Sequence, residues 1–107
     1  MAKVIITRAL REEVFKAENL FLLMKSLENS PQKGKAVGNV GKIVIKELKH
    51  EKWRFYFITD GHLVKFGTAD KLTTLLIKFV RMSEKKDQKR VIREIKHMLN
   101  SLGFDSL

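Results

Sequence analysis

Two basic clusters frame the apolar segments of this 107-residue chain, and recognising phosphate is the chemistry such clusters could perform. Lys46, Lys49 and Lys52 surround the segment that begins at Trp53, and Arg54 rises from within it. Arg81, Lys85 and Lys86 follow a second apolar run, LLIKFV. A guanidinium on a well-packed strand is held by its neighbours, which is what stabilising charge on a phosphate in a transition state requires. The competing assignment for Arg54 is a cross-strand ion pair with a carboxylate such as Glu47. An anion near Ser83 would meet the amides of a helix start as well as these cations, and a solvated charge run at a strand end is the plainer alternative. Tyr56 and Trp53 are the only residues of their kinds, and either could stack on a base. Parity with Phe55 and Phe57 assigns Trp53 to the core instead.

The bulk charge points the same way. Lys and Arg number 22 against 12 Asp and Glu, a formal net charge of +10. That surplus concentrates polyanions at the surface and predicts contacts to RNA or DNA that weaken with salt, although Lys-rich surfaces also serve solubility and heat tolerance. There are no cysteines, which excludes disulfides and thiolate metal sites. His50, His62 and His97 have no metal-ligand spacing, so no metal is expected. Gly34, Gly38 and Gly41 lack the strand-before, helix-after context of a nucleotide loop, so no cofactor is expected either. The apolar run near the N-terminus is too short for a signal peptide or a membrane span, and the expected location is cytoplasmic.

The length suits a single domain over residues 1–107, with 44% hydrophobic residues to build its core. Lys3 to Ile6 reads as a strand, and Thr7 can cap the helix that follows. There Leu10, Val14, Ala17, Phe21 and Met24 recur at helical steps, in one helix packed on several sides or two helices broken near Asn19. Ser30-Pro31 ends that region. Residues 31–42 hold three of the six glycines and the only proline and read as a loop, whose Lys33, Lys35 and Lys42 either touch phosphate or are merely solvated.

Ile43–Lys49, Trp53–Thr59, His62–Phe66 and Leu75–Met82 read as strands of an antiparallel meander, with turns at His50–Lys52 and Asp60-Gly61. Gly67–Lys71 is an insertion, a bulge or a turn. Ser83 caps a final helix whose apolar stripe is Val91, Ile95, Met98 and Leu102, ended by Gly103, with Lys85, Lys89, Arg93 and Lys96 on its opposite face. The predicted fold class is α+β: an N-terminal strand and helix or helical hairpin, a meander of about four strands, and a C-terminal helix.

Glu47-Leu48-Lys49, then Arg54-Phe55-Tyr56-Phe57, then the run from Phe79 to Lys86 resemble the RelE/ParE toxin superfamily, particularly its HigB-like branch. The likeness extends from about Ser30 to the end of the chain. It differs in the long terminal helix and in Arg81-Met82, which precedes the double lysine. The resemblance implies a RelE-like toxin of a type II toxin–antitoxin system that cuts mRNA on the ribosome and is silenced by a cognate acidic antitoxin. The RNA 2′-OH would attack the adjacent phosphate without a metal. Carried onto this chain, Arg54 and Arg81 would stabilise phosphate charge, Lys49 would position the backbone or assist proton transfer, and Glu47 would be a base. Lys46, Lys52, Lys85, Lys86 and Tyr56 would bind RNA or ribosome. The competing functions are a gyrase inhibitor of the ParE type and a noncatalytic RNA- or ribosome-binding module. Catalysis needs Lys49, Arg54 and Arg81 to converge, whereas simple binding tolerates their dispersal.

Overall fold

Runs of β-branched and aromatic residues make strands here because such side chains pack well on a pleated surface. The computed structural model describes residues 2–30, 32–60 and 75–104. In chain order these form β1 (Ala2–Ile6), α1 (Arg8–Lys16), α2 (Glu18–Lys25), a single turn at Ser26–Glu28, β2 (Lys35–Val40), β3 (Ile43–His50) and β4 (Trp53–Asp60). Then come β5 (Leu75–Glu84), a turn at Lys85–Asp87, and α3 (Gln88–Leu102). The sheet order is β1-β5-β4-β3-β2. β2 through β5 are an antiparallel meander, and β1 lies parallel to β5 at the edge.

The sheet is covered on both faces. Phe55, Phe57, Ile77 and Phe79 pack with Val4 and Ile6 beneath Leu10, Val14, Leu20 and Met24 of the N-terminal helices. On the other face Ile45, Tyr56, Ile58 and Val80 pack beneath Val91, Ile95 and Leu99 of α3. Alternation along β4 therefore sends its residues into two cores rather than one core and solvent. The helical break falls at Ala17, whose extended backbone separates α1 from α2, two residues before Asn19.

Residues 35–40, expected in a loop, are an edge strand instead. Register with β3 runs from Lys35 opposite Glu47 to Val40 opposite Ile43, with a shift between Ala36 and Gly38. Gly38 is tolerated because α3 lies close: a Cβ there would come within 3.0 Å of the Lys96 side chain. Ser83 is also not a helix cap. β5 continues through Glu84, and α3 starts at Gln88 after one turn. The expected hairpin at Asp60-Gly61, the strand at His62–Phe66 and the Gly67–Lys71 segment fall at or within residues 61–74, outside the described residues.

β1 exposes one strand edge, and side chains occupy it. The Glu28 carboxylate accepts the Val4 N–H at 2.9 Å and the Lys25 ammonium at 3.0 Å, while Arg11 Nε donates to the Ile6 carbonyl at 3.3 Å. Such plugs discourage edge-to-edge pairing. The Val4 N–H, followed by Lys25, holds the Glu28 carboxyl below its ordinary value. A lowered folded value means that its stabilisation is complete above the unfolded value of about 4.3 and disappears as pH falls through the folded one. Thermal midpoints of the native chain and Glu28→Gln should therefore differ at neutral pH and converge in acid. A pH-independent gap would show that the carboxylate charge contributes nothing.

Candidate active-site corner

β3, β4 and β5 bring a polar corner together at the start of α3. Lys49 is the cross-strand partner of Arg54, Glu47 of Tyr56, and Arg54 of Ser83, so all five project from the sheet face that α3 covers. Arg54 Nε lies 3.9 Å from Glu47 Oε2, with the two side chains 13% and 12% exposed. Gln88 Nε2 donates to the same Glu47 oxygen at 2.6 Å. The carboxylate is thus held from two sides, by a strand and by a helix start, while Lys49 stands exposed beside it.

Beneath this pair lies a buried hydroxyl chain. Ser83 Oγ donates to the Glu84 carbonyl at 2.9 Å, which leaves the Tyr56 hydroxyl as donor to Ser83 Oγ, also at 2.9 Å. Burial pushes the Tyr56 phenol above its ordinary value, the Ser83 bond opposes this, and the Glu47 charge adds to it. Tyr56 therefore stays protonated at neutral pH and acts as a strut under Arg54 and Glu47.

Several expected residues lie elsewhere. Tyr56 is fully buried, so the expectation that it touches RNA is withdrawn. Lys46 is only 7% exposed and points to the opposite sheet face, where its ammonium donates to the carbonyls of Gln32 and Lys33 at 2.9 and 3.1 Å. Burial lowers its pKa, and the two carbonyls make it a structural clamp on the chain entering β2 rather than a phosphate contact. Lys52 and Lys86 flank Glu84 at 3.6 and 3.8 Å, and Lys52 also sits 5.2 Å above the Trp53 ring. Lys85 is exposed beside them.

Arg81 does not join Lys49 and Arg54. β5 carries a bulge: Tyr56 pairs with Arg81 while the next residue, Phe57, pairs with Phe79, leaving Val80 as the extra residue. The Arg81 guanidinium donates to the Val80 carbonyl at 2.6 Å and to Met98 Sδ at 3.0 Å, on the β1 side of α3. Gln88 was not anticipated, and no sequence pattern links it to a glutamate 41 positions away. Lys78 was also missed; it is buried and donates to the Phe104 carbonyl at 2.9 Å, tying down the chain beyond α3.

The corner offers an anionic proton acceptor, a guanidinium and an exposed ammonium, a set suited to phosphate chemistry. Among the described residues no group of three or more His, Cys, Asp or Glu is arranged to hold a metal, and no helix is long and apolar enough to cross a membrane. The molecule is an α+β domain with a five-strand mixed sheet and a C-terminal helix packed on it. No protein-family model, curated protein or solved structure matches this chain.

Proposed function

We propose that this chain is a RelE-like toxin of the HigB type, a metal-independent endoribonuclease acting on mRNA at the ribosome in the cytoplasm and silenced by a cognate acidic antitoxin. The observation that supports it is the juxtaposition of Glu47, Lys49 and Arg54 on one sheet face. In this reading Glu47 accepts the proton of the RNA 2′-OH as that oxygen attacks the adjacent phosphorus. Arg54 stabilises the charge on the pentacoordinate phosphorane. The bond to the 5′-oxygen then breaks, and Lys49 protonates it, giving a 2′,3′-cyclic phosphate and a 5′-hydroxyl. An incoming phosphate competes with Glu47 for Arg54, whose Nε lies 3.9 Å from the Glu47 carboxylate. Arg81 has no part in this step: the three-way convergence expected of catalysis is not met, and the reading rests on Glu47, Lys49 and Arg54 alone.

Expression of the chain in a growing host, with RNA ends mapped at codon resolution, tests the reading directly. Growth arrest with new 5′-hydroxyl ends inside translated frames is expected; arrest without such ends overturns it. The separation of Arg81 from the corner favours, as the second reading, a noncatalytic RNA-binding module, for which RNA binds and no new ends form. In either reading the exposed Lys85 and Lys86 contact RNA backbone. Replacing both with alanine should reduce the slope of log affinity against log salt by about 1.4, two single-strand phosphate contacts. An unchanged slope would remove these lysines from the interface.

A further inference from the structure

A set of cations without a carboxylate ion pair lies away from the corner, along a trough on the β1 side of the molecule. Three open depressions of about 520, 520 and 510 Å³ form it. The first runs beside α3, and Arg81 and Met98 line both it and the second. The second reaches the start of α1, and Ile5, Ile6 and Arg11 line both it and the third. Arg93 stands over the first, Arg8 over the second and Lys3 over the third. Among the described residues none of Lys3, Arg8, Arg11, Arg81 and Arg93 makes an ion pair with a carboxylate, whereas Arg90 and Lys25 on the same walls pair with Glu94 and Glu28. At the far end Phe15 is 63% exposed, its ring 5.7 Å from that of Phe21.

We propose that this trough is a binding track for single-stranded nucleic acid, separate from the corner. Binding without sequence preference needs a cationic groove that follows the backbone and an aromatic face on which a base can stack. The trough supplies both, with a cation at every depression and Phe15 at its end. Cations that recur from one depression to the next suit a polymer carrying one phosphate per residue. An acidic protein segment would have to present a carboxylate at each of the same places. Arg81 is fixed by the Val80 carbonyl and Met98, so its planar guanidinium can meet phosphate or base without being ordered first. The track shares its ligand class with the proposed reaction and none of the corner's residues, so it can stand or fall independently.

Fluorescence anisotropy with the full chain and labelled oligouridine or oligodeoxyuridine of about twelve nucleotides tests this, a length within the span such grooves hold. Phe15→Leu should weaken binding roughly 5- to 150-fold, the loss expected for one stacked base. Arg8→Gln with Arg93→Gln should lower the salt slope by about 1.4. Lys35→Gln with Lys42→Gln removes the same charge from the exposed β2–β3 hairpin and should have a smaller effect. All the altered side chains are exposed, and thermal midpoints check that each variant folds. Equal weakening of both polymers assigns recognition to backbone and base; selective loss of oligouridine binding assigns it to the 2′-hydroxyl as well. The proposal is overturned if the trough variants bind as the native chain does, if the hairpin variant loses as much, or if polyglutamate of equal charge displaces the oligonucleotide as well as unlabelled oligonucleotide does. Trough variants that bind normally while RNA ends still appear in cells would sink the track alone. Loss of those ends with trough binding intact would sink only the nuclease.

Discussion

Arg54→Ala is expected to reduce RNA cleavage by about 10²–10³-fold, the usual loss when one donor aimed at developing charge is removed. Growth arrest should disappear with it. Arg54 sits in the middle of the sheet edge to edge, between Lys49 on β3 and Ser83 on β5, so the strand remains paired on both sides when the side chain is truncated. The folding penalty comes from Glu47, which loses its guanidinium neighbour but keeps the Gln88 donor, and should be about 1–3 kcal/mol. Circular dichroism and a thermal midpoint separate that penalty from the catalytic one. Arg54→Lys keeps a positive charge but not the planar fork, so it should recover binding more than rate. A folded Arg54→Ala chain with undiminished toxicity and cleavage would end the assignment of this corner to catalysis.

Much of this architecture is legible in the residues. The terminal helix follows from the spacing of Val91, Ile95, Met98 and Leu102, although the buried stripe passes through Leu99 and leaves Leu102 58% exposed, and the β3–β4 hairpin follows from its flanking aromatic and β-branched runs. Its turn residue Glu51 takes a φ of 58°, which composition alone does not announce. β2 is hidden because an edge strand that starts with exposed Lys35 and Ala36 and has a glycine at its bulge carries little apolar signal. Ser83 satisfies every local rule for a helix cap and loses that role to tertiary pairing, because β5 runs on to partner Trp53 with Glu84 and the Tyr56 hydroxyl claims its oxygen.

The site was legible where strict alternation holds and illegible where it breaks. Glu47, Lys49 and Arg54 lie on regular stretches of β3 and β4, and their common face follows from period two. Arg81 shares that face, since the bulge sets it opposite Tyr56, but its guanidinium turns away to the Val80 carbonyl and Met98, which no count along the strand reveals. Lys46 was misjudged for another reason: a lysine beside other lysines looks solvated, and only the tertiary fold reveals the two carbonyls that draw it inward. Charge counts therefore located a basic surface without distinguishing structural cations from available ones.

The clamp at Lys46 leads to Gly34, where, among the glycines of the described residues, a single methyl group should be the most damaging. Gly34 has a φ of +99°, and a Cβ there would lie 2.7 Å from Phe57 Cζ and 3.2 Å from the Glu47 carbonyl oxygen. Phe57 cannot retreat, because it is fully buried with its ring 4.9 Å from that of Phe79. Gly34→Ala therefore combines left-handed backbone strain of about 1–2 kcal/mol with overpacking of about 1–3 kcal/mol. Against a domain stability of about 5–15 kcal/mol that is a large fraction, and the urea midpoint should fall accordingly. Phe57→Leu separates the two causes, since its shorter side chain does not reach the clashing positions. In that background Gly34→Ala should cost less by about the overpacking share, 1–3 kcal/mol, while the backbone strain persists. Strict additivity of the two substitutions would refute a steric contact between residue 34 and the ring. Because the Glu47 carbonyl forms the third wall of this space, a chain that tolerates Gly34→Ala by shifting β3 should also show reduced RNA cleavage, linking the loop held by Lys46 to the geometry of the corner.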